Sequence, residues 1–165
     1  MSHFGSSEPG DFRLNVSLTP DGGDGNYCGP GAPFSTGASS VIAANSLTIS
    51  IAQNDLVLSA NNLPAFMPGI FIAGPTQASI PFFNGTLCIA PVGLQRLEPV
   101  QVPTGGNVTL PIDVHTQALA FGGGAGAPVN VTPGLTHNVQ RWNRDTAAPP
   151  SFANFSDGVN VLFTP

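Results

Sequence analysis

Glycine and proline punctuate this chain every few residues along its whole length, 20 Gly and 17 Pro among 165 positions. Proline removes a helical hydrogen bond and clashes with the preceding turn, and glycine costs a helix interior about 1 kcal/mol. A helical fold is excluded on that ground. Between the breaks lie short alternating runs of Val, Ile, Leu, Phe and Thr, which is strand chemistry. Eleven Phe and 41% apolar residues provide enough surface to bury, so the punctuation marks turns rather than disorder.

Charge narrows the function classes. Charged residues make up 8% of the chain, against a usual share of about 25%. There is no Lys, and Arg13, Arg96, Arg141 and Arg144 are the only permanent cations. Four scattered Arg in a chain of net charge -5 cannot form the basic stripe that a phosphate backbone requires. Nucleic acid is excluded as a partner, and docking to anionic lipid is disfavoured for the same reason. No apolar run approaches the roughly 18 residues of a membrane span. Two Cys, Cys28 and Cys88, fit either one disulfide in an oxidising compartment or two buried thiols. The start, Met1-Ser2-His3-Phe4-Gly5, lacks the basic and apolar regions of a signal peptide, so export rests on the scarcity of charge and on the cysteines.

The chain divides into an N-terminal extension, residues 1–25, and one domain, residues 26–165. Within the extension, Phe12, Leu14, Val16 and Leu18 alternate with Arg13, Asn15 and Ser17, the strict period of a half-buried strand. A glycine-rich hinge around Asp21 and Asp24 follows. In the domain, strands are expected at 47–51 and 56–60, the pair forming a hairpin or sheet corner around Asn54-Asp55. Residues 69–74 form a continuous apolar strand expected to be buried on both faces. A further pair flanks a turn at Asn84-Gly85, and more strands are expected at 93–102, 107–114, 136–142 and 158–163. The glycine-rich stretch 122–128 is a loop. About eight to ten short antiparallel strands with regular turn signals indicate an all-β sandwich, jelly-roll or immunoglobulin-like.

From Asn26 onward the sequence resembles a recurring β-sandwich module found at the C-terminal end of long secreted bacterial proteins. The stretches that carry it are Tyr27-Cys28-Gly29-Pro30, Asn54 to Ala60 with Leu63-Pro64, and Asn84-Gly85-Thr86-Leu87-Cys88. Others are Arg96-Leu97, Gln140-Arg141-Trp142-Asn143-Arg144-Asp145 and Phe155-Ser156-Asp157-Gly158. The resemblance implies a Cys28–Cys88 disulfide and an extracellular location, and it carries no activity with it. The chain departs from that pattern by being nearly all module and by adding the strand at 12–18.

Candidate chemistry is sparse. A nucleophile elbow, paired His at helical spacing and any Lys are missing, and the 122–126 glycines lack the Lys and Ser/Thr of a phosphate loop. Asp113 and His115, with His137, have metal-ligating types, but a surface polar pair accounts for them. Asp21, Asp24 and Asn26 offer oxygen ligands for calcium without the closing Glu of a calcium loop, and a plain flexible linker is the better account of them. Trp142 with Arg144 and Asp145 reads as a structural cluster, although Trp and Arg are also favoured over sugar rings and at binding hot spots. Five Asn-x-Ser/Thr acceptors, Asn15, Asn84, Asn107, Asn130 and Asn154, are expected by chance in so Asn- and Thr-rich a chain.

The expected function is that of a non-catalytic extracellular structural protein needing no cofactor. The strand at 12–18 folds back on its own sheet, hangs free, or fills the edge of a neighbouring copy. The last fate makes a homopolymer, a filament or a surface layer. The alternatives are a carbohydrate- or surface-binding adhesin module and a hydrolase with an unrecognised site.

Overall fold

A computed structural model describes residues 25–116 and 131–165. The expected strand at 12–18, the hinge with Asp21 and Asp24, and the loop at 122–128 lie outside the described residues. The fold is an all-β sandwich, with antiparallel sheets packed together and no helix among the described residues.

The main sheet runs in the order β1 (Asn26–Tyr27), β11 (Ala153–Thr164), β10 (Thr136–Arg144), β5 (Gly69–Gly74) and β8 (Gln95–Gln101). Its sixth member, β3 (Thr48–Ser50), pairs in parallel with the far end of β11. A second sheet joins β2 (Ile42–Ala44), β4 (Val57–Ala60) and β9 (Val108–Pro111). The two sheets face each other across one core, where Phe71, Val139, Val159 and Val161 meet Ile42, Leu58 and Leu110. A separate hairpin, β6 (Gln77–Phe82) and β7 (Gly85–Ile89), folds over the outer face of the main sheet. There Leu87 and Ile89 pack on Ile70, Ile72 and Phe155. Strand β5 is therefore covered on both sides, and all six of its residues are buried, which is why its sequence is apolar without alternation.

The stretch around Asn54-Asp55 is a corner and not a hairpin: β3 joins the main sheet and β4 the second. Asn54 makes the corner in the left-handed region, φ 51, and its Oδ1 accepts the Val114 N–H at 2.7 Å. The β6–β7 turn falls one residue earlier than its Asn-Gly signal suggests, because Phe82 pairs with Gly85 and leaves Phe83-Asn84 at the bend. Gly85 is needed in the strand: a Cβ there would stand 2.1 Å from Oδ1 of Asn154. Strand β11 begins five residues before its expected start, since its first half carries Asn154, Ser156 and Asp157 inward.

Cys28 and Cys88 are joined, Cα to Cα 6.0 Å, and tie the chain just after β1 to the hairpin strand β7. Closing a loop across 60 residues of sequence stabilises the fold by about 4 kcal/mol on the chain-entropy account. Beside it, Tyr27 lays its ring on Gly158, where a Cβ would come within 2.6 Å of the ring, and its hydroxyl donates to the Cys88 carbonyl at 3.2 Å. Substituting Gly158→Ala forces that ring out of its seat and is expected to cost about 1–3 kcal/mol. Urea unfolding measures it, and a variant as stable as the parent would show that the ring is not held there.

Candidate functional site

Strand β10 sends alternate side chains to opposite faces of the main sheet, and this sorts the Gln140–Asp145 run into two roles. Arg141 and Asn143 point inward. The Arg141 guanidinium is fully buried and lies 4.8 Å over the Phe71 ring. It donates to Oε1 of Gln101 at 2.6 Å and to Oδ1 of Asn143 at 3.1 Å. Burial lowers its pKa to about 10, so it stays cationic at neutral pH.

Gln140 and Trp142 point outward. The Gln140 amide clamps the hairpin: its Oε1 accepts the Cys88 N–H at 2.9 Å, and its Nε2 donates to the carbonyls of Thr86 and Ser156, each at 2.8 Å. Trp142 is half-buried and forms the floor of an apolar groove of about 450 Å3. Phe82 and Phe83 of the hairpin stand on one side of the groove, and Arg96, Glu98 and Val100 of β8 on the other. The rings cluster, with Phe82–Phe83 centroids 4.3 Å apart, Phe83–Phe155 6.0 Å and Phe83–Trp142 6.5 Å. Beyond Phe83 and Trp142 the trough continues into a second hollow of about 440 Å3, bounded by Arg144, Thr146, Ser151 and Phe152. Arg144 is exposed there, while Asp145 is buried and turns away, taking the Ser35 N–H at 2.7 Å and the Ser35 hydroxyl at 2.5 Å.

Asn26 lies in β1 and its amide donates to the Ile42 carbonyl at 2.8 Å and to Oδ2 of Asp157 at 2.7 Å. Asp157 also takes the Ile42 N–H at 2.7 Å. Asn26 is thus spent on holding β2 to β11. Asp113 caps the turn after β9, accepting from the backbones of His115 and Thr116 and from the Asn54 amide. His137 is buried on β10. Among the described residues no group of three or more His, Cys, Asp or Glu gathers to hold a metal ion. The groove itself was not foreseen. Its only foretaste in the sequence is the Phe82-Phe83 pair at a turn, two large apolar residues where turns favour Asn, Gly or Ser. Comparison with protein-family models, curated proteins and solved structures finds no match.

Two outcomes follow. Gln140→Met leaves three partners on the hairpin and β11 without their bonds and is expected to cost about 3 kcal/mol, at roughly 1 kcal/mol per bond. Its marker is a red shift of the Trp142 emission as the groove wall loosens; unchanged emission and stability would refute the clamp. Burial raises the Asp157 carboxyl above its ordinary value, with Asn26 and the Ile42 N–H opposing the rise. A folded pKa above the unfolded one gives stability that is complete below the unfolded value and lost as pH rises through the folded value. Relative to Asp157→Asn, the parent's stability is therefore expected to fall as pH rises from below the ordinary aspartate range to above it. Denaturant midpoints at each pH decide this, and a constant or widening advantage contradicts it.

Proposed function

We propose that the chain is a non-catalytic extracellular structural subunit, a relative of the secreted C-terminal modules it resembles. In this reading it joins copies of itself through the amphipathic stretch at residues 12–18. The supporting observation is the apolar groove between β6 and β8 residues, each strand terminal in its sheet. Terminal strands leave backbone donors and acceptors for an added strand. Pro81 and Pro99 each remove one donor, so the added strand takes only part of either edge. The apolar lining suits the side chains of Phe12, Leu14, Val16 and Leu18.

Reach allows the stretch to fill its own groove or a neighbour's. Six residues separate Leu18 from Gly25, so their Cα atoms lie up to about 25 Å apart. The groove floor at Trp142 is on β10, two strands from β1 in the main sheet, about 10 Å away. Docking on a second copy is the reading taken here because a head-to-tail contact repeats without closing.

Burying four such side chains favours the contact by about 6–12 kcal/mol, against roughly 4–15 kcal/mol for immobilising a partner. Assembly is accordingly concentration-dependent. The Cys28–Cys88 bond supports an oxidising, extracellular setting, and no helix among the described residues is long and apolar enough to cross a membrane.

Electron microscopy of the purified chain at rising concentration is expected to show polymers that vanish on deletion of residues 1–24 or in Leu14→Asp. Polymers that survive the deletion end this reading.

A further inference from the structure

We propose that the hollow beyond Trp142 is a binding site for a carboxylated pyranose, a hexuronate residue of an acidic polysaccharide. It is argued from described residues alone and is independent of the 12–18 stretch.

Its walls are built at a conformational cost. Phe83 and Phe152 both sit in the left-handed region, φ 54 and 55, where a bulky side chain costs roughly 1–2 kcal/mol. Burial offsets only part of that cost, because the two rings are 45% and 49% exposed. Both rings border the same hollow, as does Trp142. Strain held at exposed aromatic positions around one concavity is a mark of a recognition site.

The chemistry of the lining selects the ligand. Exposed aromatic faces stack on the C–H faces of a pyranose. Arg144 is the one charged residue bordering the hollow, and Asp145, next to it, has both carboxylate oxygens turned to Ser35. The guanidinium fork matches a carboxylate in two parallel bonds. Thr146 and Ser151 add hydroxyls at the rim for the ring's own hydroxyls. About 440 Å3 lies within the range of small-molecule sites, roughly 300–1,000 Å3. A phosphate is a poorer match, since one Arg without a cradle of backbone N–H groups holds it weakly. The neighbouring groove, apolar apart from Arg96 and Glu98, does not share this chemistry.

Trp142 is the only Trp of the chain and reports on the hollow directly. Titrating the full-length protein with trigalacturonate at low salt is expected to give a saturable change in its emission. A neutral galactose trimer of the same linkage is expected to bind at least about tenfold more weakly, as is trigalacturonate to Arg144→Gln, since a bond to a charged group is worth about 1.5–3 kcal/mol. Phe152→Gly is expected to weaken binding severalfold while the melting temperature holds or rises, because glycine takes the left-handed backbone freely. A merely structural Phe152 would show the reverse. No saturable change up to about 10 mM trimer, equal affinity for the neutral trimer, or undiminished binding by Arg144→Gln would each overturn the assignment.

Discussion

The hairpin β6–β7 folded over the outer face of the main sheet is the constraint from which the rest of the surface follows. That sheet is apolar on both faces along β5, so each face needs a cover. The second sheet covers one. The other has only a hairpin, two strands or about 10 Å wide, to cover five strands spaced about 4.8 Å apart. Fixed over β10 and β11 by Gln140 and by the Cys28–Cys88 bond, it shields Ile70, Ile72 and Phe155 but stops short of β8. The groove is the uncovered remainder. It is a consequence of the width of the lid, and its aromatic lining is what an incompletely covered sheet face must present.

Holding that lid and the irregular segments beside it falls to polar side chains bonded mostly to backbone groups. Gln140 reaches three backbone groups, Asp145 fixes the loop at Ser35, Asn154 takes the carbonyls of Ala32 and Pro33, and Asp157 joins β2 to β11. Each uses a short side chain to stitch an irregular segment to the β10–β11 ladder. In a chain with so little charge these bonds do the work that surface ion pairs, worth about 0–1 kcal/mol each, would do poorly. Buried and satisfied, they also fix register, since a slip of one residue in β10 would point Gln140 at the wrong core. Arg141 shows the same economy: it lies on a Phe ring and on amide oxygens, contacts that favour the cation against the burial that lowers its pKa.

The class of fold was legible because its cause is local. Gly and Pro spacing forbids helices, alternation announces strands, and the unbroken apolar run at 69–74 announces a strand covered twice. Pairing was less legible. At Asn54 the sequence is compatible with a hairpin or a corner because both flanking runs alternate, and only the third dimension assigns β3 and β4 to different sheets. Gly85 carried a turn signal but serves a close contact with Asn154, a role that no short-range pattern encodes. The polar start of β11 hid its strand, since Asn154, Ser156 and Asp157 read as solvent-facing until their backbone partners are seen. Cys28 with Cys88 had two readings in composition, and proximity decided between them. Of the residues singled out for chemistry, Asn26 proved to be occupied in tying β2 to β11 and Asp113 in capping the turn after β9.

What the sequence signalled without disclosing is where it breaks its own local rules. Six described residues other than glycine take positive φ, and two of them, Asn54 and Asn62, are of the type that tolerates it. Three are Phe: Phe66, Phe83 and Phe152, which gain nothing locally from that backbone. In a chain whose turns are otherwise supplied with glycine and asparagine, stability alone would place those residues here as well. Two of the three Phe meet at one hollow, against the sole Trp and an exposed Arg. Phe66 and Cys28 break the rule elsewhere, but only at the hollow do two such conflicts fall together, which supports a binding role for it. The two ends of the trough share Phe83 and Trp142 but differ beyond them: the groove follows from the width of the hairpin, whereas the far end adds the exposed Arg144 and the exposed, left-handed Phe152.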